Sequence, residues 1–235
     1  MKAPDMNKFE DAFVKLCGDL NEDPIKVLDD SLTYIVCSLC TNDHIDVAWQ
    51  YREKENEQFS NFFMTYVLYL QEKLAEVSWY DAWGDLFMDL SGSFKSLRGQ
   101  FFTPSGIADL NARCCSFGES KQRRIIGDCA CGSARMLLAA FIEYDYDTYM
   151  IGEDIDGICC KMAAVNLAVH GCTGEIIRHD SLKEPMDCRD GFLVNESLLE
   201  SGIPSIRISR EKKDFWKFRN TIMPKEESQI GRAHV

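Results

Sequence analysis

Three aspartates set at one interval constrain the fold more than anything else in the chain. Asp128, Asp154 and Asp180 stand 26 residues apart, and each follows a short apolar run: Ile125-Ile126, Tyr149 to Glu153, and Glu175 to Arg178. The intervening segments read as helices. Ser133 to Ala140 follows the turn at Gly127, Asp128 and Gly132, and Gly157 to His170 repeats Ile158, Met162, Val165 and Val169 before Gly171 ends it. An interval of this length is that of a βαβ unit, and a parallel sheet puts all three carboxylates at its carboxyl edge. A glycine turn there aims backbone N-H groups beyond the strand end, with Asp128 as an acceptor. An acidic residue after the second strand suits ribose hydroxyls, and one after the third suits an adenine amino group. The pattern therefore predicts a nucleoside-bearing cofactor, against the alternative of three solvated loop aspartates in an acidic protein.

The part before this alternation reads as helical. Phe9, Phe13, Leu16 and Leu20 form one stripe; Ile25, Leu28, Leu32, Ile35, Val36 and Leu39 form a second after Asp23-Pro24; Phe59, Phe62, Phe63, Tyr66, Val67, Leu70 and Leu74 form a third. One-sided helices bury their faces on one another, so a small bundle is expected, with its aromatics in the core. Trp79 to Leu90 reads as a shorter helix that Gly84 weakens and Ser91-Gly92-Ser93 ends. The expected organisation is a helical subdomain over 1–96, a cofactor-binding domain over 97–223 and a flexible tail over 224–235. At the start of the second part, LRGQFFTPSG leads into a helix at Ser105 to Arg113, with Thr103 as cap or near-cap; Gln100, Phe101 and Phe102 also suit the edge of a ligand.

Charge and cysteine content narrow the function classes. The formal charge of -12 disfavours broad adhesion to nucleic acid or anionic membrane, but residues 1–100 hold 9 basic and 18 acidic side chains against 17 and 20 in the remainder. Eleven cysteines without a secretion signal point to a reducing cytoplasm, with most thiols acting as small buried hydrophobes. Cys37 and Cys40 have the spacing of a zinc half-site but no second half follows, so no metal is expected. No window is long and apolar enough for a membrane span. Near the end, Gly191 to Val194 and Ile203 to Ser209 suit edge or hairpin strands. The stretch Arg207 to Arg219 then mixes six basic and two acidic residues with Phe215, Trp216 and Phe218. Such interleaving suits a phosphate backbone and a stacked base; a solvated face with docked aromatics is the other reading.

Four runs in order, GQFFTPSGIADL, DCACGSARMLLAA, GEDIDGICCKMAAVNLAVHG and EIIRHDSL, resemble the N6-adenine DNA methyltransferases of the type I restriction-modification modification (M) subunit family. The resemblance spans about Gln100 to Leu182. It implies an α/β fold: a partial Rossmann-like S-adenosylmethionine-dependent methyltransferase sheet with an N-terminal helical subdomain. It also implies that Phe102, Thr103 and Pro104 lie beside the methionine part of S-adenosylmethionine. Asp128, Ala130, Cys131 and Gly132 match the cofactor motif usually written Asp-Pro-Ala-Cys-Gly-Ser-Gly. Asp154, followed by Ile155, matches the ribose-binding acid, Asp180 the residue that meets the adenine amino group, and Asn166 the family's helix asparagine.

The chain departs from the family at three places. Cys129 replaces proline and Ala134 replaces the final glycine of the cofactor motif, the latter adding a methyl where the backbone turns. The Asn-Pro-Pro-Tyr or Asn-Pro-Pro-Phe run that holds a flipped adenine does not occur between Ser181 and Val235. Asn195 is the nearest asparagine in a strand context, and no catalytic residue is assigned. The expected function is DNA adenine-N6 methylation in a restriction-modification or mobile-element system, completed by a specificity or catalytic partner subunit and contacting DNA through Arg207 to Arg219. The alternatives are a non-catalytic cofactor- or DNA-binding member and a methyltransferase for a non-DNA substrate.

Overall fold

The computed structural model describes residues 7–41, 51–93, 100–115, 123–144, 148–183 and 188–215. Four helices come first: α1 (Lys8–Leu20), α2 (Pro24–Ser38), α3 (Glu53–Leu74) and α4 (Ala82–Ser93). Each of the first two starts where the sequence supplies a cap. Asn7 accepts from the Phe9 and Glu10 amides, Asp23 accepts from those of Ile25 and Lys26, and Pro24 occupies the first turn of α2, where no amide hydrogen is needed. The three expected stripes supply most of the buried faces, except that Val67 is exposed and Tyr69 is buried in α3. Phe9 stacks on Phe62 at 5.3 Å and meets Trp83 edge-on at 5.1 Å, so the aromatics of α3 are core residues.

After α5 (Ser105–Cys114) the alternation runs β1 (Arg124–Asp128), α6 (Arg135–Glu143), β2 (Thr148–Asp154), α7 (Gly157–Val169) and β3 (Thr173–Arg178). It then continues into β4 (Asp190–Val194), the short α8 (Leu198–Ser201) and β5 (Ile206–Ser209). The sheet order is β1-β2-β3-β4-β5, with the first three strands parallel and the last two joined antiparallel beyond β3. The fold is thus α/β with a mixed sheet, and β4 and β5 pair antiparallel, the hairpin of the two arrangements, edge or hairpin, that their sequence suited. α6 and α7 pack on one face, where Met150, Ile176, Phe192, Val194 and Ile206 join the main core. Alternate residues Tyr149, Ile151, Ile177 and Leu193 point the other way and enclose Phe215 in a second, smaller cluster.

Bundle and sheet share one core. The main cluster runs without a break from Phe9 through Trp83, Leu138 and Val165 to Ile206. On its surface, Lys161 of α7 pairs with Asp29 of α2 at 2.7 Å. The end of α2 also joins the sheet, because the Ile206 amide donates to the Leu39 carbonyl at 2.8 Å and the Thr41 amide donates to the Ile206 carbonyl at 3.0 Å. The Leu97 boundary and the tail after Pro224 lie outside the described residues.

Two local expectations are refined. Of the two positions expected for Thr103, cap or near-cap, it takes the second, directly before the N-cap Pro104, and no side chain bonds the first turn of α5. The cysteines divide more evenly than composition suggested: Cys131, Cys159, Cys160 and Cys172 are buried, whereas Cys37, Cys114, Cys115 and Cys129 are exposed. The buried four sit where α7 and the turn after β1 press on the sheet, and the exposed four lie in turns or near helix ends.

Candidate cofactor site

Pairing of Asp128 with Gly152 and of Asp154 with Arg178 fixes the geometry of the carboxyl edge. Each aspartate lies two residues beyond its neighbour's partner, so the carboxylates step outward by about 6.6 Å per strand along the strand direction. The interval of 26 residues is thus a strand register of 24 plus this step of two.

The turn after β1 is folded back against β2. The Cys131 amide donates to the Glu153 carbonyl at 2.9 Å, and the Gly132 amide donates to Asp154 Oδ2 at 2.9 Å. Asp154 Oδ1 accepts the Asp156 amide at 2.9 Å, while Asp128 Oδ1 accepts the Ala130 amide at 3.1 Å. Each oxygen of Asp154 therefore holds one of these backbone hydrogen bonds, and an ionised carboxylate offers about four acceptor positions. Capacity for a pair of hydroxyl donors remains, which fits a ribose. Beside it, Ile155 is 53% exposed, an apolar side chain held at the edge between Asp154 and Asp156. Asp180 accepts from the Leu182 amide at 3.2 Å and lies 3.5 Å from Lys183. Burial first, then the neighbouring Asp154, pushes the Asp128 carboxyl above its ordinary range.

Phe102, Thr103, Asp128, Ala130, Cys131 and Gly132 line a single narrow cleft. Gly132 is required there on two counts: its φ is +53°, and a Cβ would lie 2.8 Å from the Phe102 ring. The ring itself is fixed by stacking on Phe87 at 5.1 Å. Ala134 also adopts the left-handed conformation, with φ 73° and ψ 23°. Its methyl is fully buried in the core and does not line the cleft. Pro104 stands apart from these residues at the start of α5.

Sequence reading missed the group that holds this cleft from behind. Asp81, immediately before α4, is 3% exposed and accepts four hydrogen bonds. They come from the Gly84 amide (2.8 Å), the Ser133 hydroxyl (2.5 Å), Arg135 Nε (2.6 Å) and Asn166 Nδ2 (2.7 Å). Arg135 continues to Asp85 at 2.5 Å and to the Thr103 carbonyl at 3.4 Å. Burial works against its charge, yet Asp81 and Asp85 outweigh that and hold the guanidinium above its ordinary range. Gly84 does not weaken α4 by accident: a Cβ there would lie 1.9 Å from Asp81 Oδ2. The available signal was an aspartate three residues before a glycine at a helix start.

Asn195 lies at the opposite edge of the sheet, since neighbouring Val194 pairs with Gly174 near the start of β3. Its amide donates to the Ala168 and Cys172 carbonyls at 3.0 and 2.8 Å, and its carbonyl oxygen accepts the Ser205 amide at 2.9 Å. It joins the end of α7 to the hairpin and plays no part at the carboxyl edge. In the basic stretch, Arg207 pairs with Glu196 and Asp214, Lys213 pairs with Glu211, and Phe215 is buried. Trp216 to Arg219 lie outside the described residues.

Residues 80–194, from just before Asp81 to the last residue of β4, match the family described as N-6 DNA Methylase. That stretch is similar to the N-6 DNA methylase family over just under half of the chain. The chain is also similar to the type I restriction enzyme MjaVII methylase subunit of Methanocaldococcus jannaschii, 29% identical over 116 residues. The alignment covers 45% of this chain and 20% of that relative, so the chain spans about a fifth of the curated relative's length. Among solved structures, a putative class I S-adenosylmethionine-dependent methyltransferase from Listeria monocytogenes overlays with a TM-score of 0.49 at 15% identity, covering 75% of this chain and 52% of that one. A type I restriction-modification methyltransferase subunit from Streptococcus thermophilus gives 0.37 at 22% identity, covering 57% and 29%. Among the described residues no helix is long and apolar enough to cross a membrane, and no three His, Cys, Asp or Glu side chains gather as a metal site.

Proposed function

We propose that the chain is the donor-binding part of an S-adenosylmethionine-dependent DNA adenine-N6 methyltransferase of a restriction-modification or mobile-element system. The observation that carries this reading is the Gly132 amide bonded to Asp154, which ties the glycine turn to an acceptor set suited to ribose hydroxyls. The similarity of residues 80–194 to the N-6 DNA methylase family supports it. In this reading Asp154 holds the ribose, Ile155 lies against the adenine, and Asp180 accepts from the adenine amino group. Asp128, Ala130, Cys131, Gly132, Phe102 and Thr103 surround the methionine end, with Pro104 fixing the loop that carries Phe102 and Thr103. Bound S-adenosylmethionine supplies an electrophilic methyl group on its sulfonium.

Methyl transfer also needs the acceptor amine held in line with that methyl. No residue of the described part is assigned to this task, and Asn195 is committed to the far edge of the sheet. We therefore assign the acceptor clamp and DNA recognition to a further polypeptide segment or partner subunit. Internal pairing of Arg207 and burial of Phe215 leave the described half of the basic stretch a weak DNA contact.

Calorimetry with S-adenosylmethionine tests the cofactor role. Saturable binding that Asp154→Ala weakens at least about tenfold is expected, the equivalent of one hydrogen bond to a charged group. No heat at millimolar cofactor would overturn it. Transfer of labelled methyl groups into mixed-sequence DNA, with and without a type I specificity subunit and a chain carrying Asn-Pro-Pro-Tyr, tests the division of labour.

A further inference from the structure

The Asp81 carboxylate has no capacity left for a ligand. Its two oxygens accept two donors each, which uses the four acceptor positions of the group, and the side chain is closed off from solvent. What it does instead is join parts of the chain that are remote in sequence. The Ser133 hydroxyl and Arg135 Nε belong to the wall of the cleft formed by the turn and α6. Arg135 Nη1 reaches the Thr103 carbonyl, in the loop that forms the other wall. Asn166 of α7, bonded to Asp81 and to the Ser133 carbonyl at 2.8 Å, ties the same group to the helix behind. The adenosine end is held differently. Asp154 and Asp180 take backbone partners at the ends of β2 and β3, and neither bonds to Asp81 or Arg135.

We propose that Asp81 is a positioning residue for the methionine end of the cofactor cleft, setting through Arg135 and Ser133 the distance between its two walls. The proposal rests on the cleft being the S-adenosylmethionine site. It goes beyond that reading in separating the site into two ends with independent supports. An asparagine at 81 keeps the volume but replaces an acceptor oxygen by a donor NH2, so four donors can no longer all be met. The wall residues then lose their common anchor, while the strand-end carboxylates keep theirs.

The test compares two ligands on the full chain by calorimetry: S-adenosylmethionine, and 5′-methylthioadenosine, which has the adenosine part but lacks the amino-acid part. Asp81→Asn is expected to weaken S-adenosylmethionine by about tenfold or more, the equivalent of one charge-assisted hydrogen bond, and to leave methylthioadenosine within about twofold. Asp154→Ala is expected to weaken both. Arg135→Lys retains the charge but lacks the planar fork that reaches from Asp81 to Thr103, so it should reproduce the selective loss if Asp81→Asn does not fold. Equal weakening of both ligands by the folded variants, or of neither, would overturn the role of Asp81 while wild-type binding upholds the site. A wild-type chain that binds neither ligand would overturn the cofactor reading itself and the proposal with it.

Discussion

Gly132 and Ala134 have left-handed backbones two residues apart, yet exchanging each for the other residue type should have very different consequences. For Ala134→Gly, relief of the left-handed conformation is worth about 1–2 kcal/mol. Against this stand a buried methyl of about 0.8 kcal/mol and about 0.4–1 kcal/mol for the greater freedom of glycine in the unfolded chain. The terms nearly cancel, so the variant should stay within about 1 kcal/mol of wild type. For Gly132→Ala the first term changes sign, and the new Cβ lies 2.8 Å from a Phe102 ring carbon that stacking on Phe87 holds in place. Overpacking of this kind costs about 1–3 kcal/mol, giving a total near 2–4 kcal/mol after the unfolded-chain gain. Urea unfolding followed by tryptophan fluorescence and far-UV circular dichroism measures both, provided the slope is unchanged between variants. A neutral Gly132→Ala, or an Ala134→Gly that moves stability by more than about 2 kcal/mol, would refute this account of the turn.

Other predictions concern single side chains. His170 accepts the Tyr80 amide through Nε2 at 3.3 Å and donates from Nδ1 to the Asn166 carbonyl at 2.8 Å, so the fold requires its neutral form. Burial accordingly lowers its pKa from 6.5. Its contribution is complete above pH 6.5 and is lost as pH falls toward the lowered folded value, because only the unfolded chain takes up the proton. Urea midpoints measured between pH 7.5 and 5 should fall for wild type and be flatter for His170→Gln; parallel profiles would contradict the assignment. Asn195→Ala leaves the Ala168 and Cys172 carbonyls and the Ser205 amide without their side-chain partner, and should cost roughly 2–4 kcal/mol in urea unfolding. Cofactor affinity in the folded variant should not change, and a selective loss of affinity would place Asn195 at the wrong edge. Gly84→Ala should destabilise by roughly 2 kcal/mol or more, since the added methyl displaces the Asp81 carboxylate; a thermal midpoint equal to wild type would mean α4 shifts freely.

Most of the fold was legible because it is written in short-range patterns. β-branched runs, a glycine turn and helical stripes each act within about a dozen residues, and the spacing of Asp128, Asp154 and Asp180 carries the parallel register directly. The common edge of these three aspartates was legible for the same reason. Asp81 was not, because its partners Ser133, Arg135 and Asn166 lie 52, 54 and 85 residues away and no periodicity links them. Gly84 was misread on propensity, which weighs a residue's cost in an isolated helix and is blind to a carboxylate packed on the missing Cβ. Placement of β4 and β5 beyond β3 depends on tertiary packing, since their sequence suited edge or hairpin strands and did not name the neighbour.

The backbone bonds between the end of α2 and Ile206 also set an order of events in time. Leu39 and Ile206 are 167 residues apart in the chain, yet the second donates its amide to the first. At ribosomal rates of about 5–20 residues per second, roughly 10–30 s pass between synthesis of the two. Through that interval α1 and α2 can fold on one another, while the side of α2 destined for α7 and the carbonyl of Leu39 have no partner yet made. The first described helices of this protein are completed by its last described strand, and a nascent chain halted before β5 would present an apolar helix face to whatever chaperone meets it.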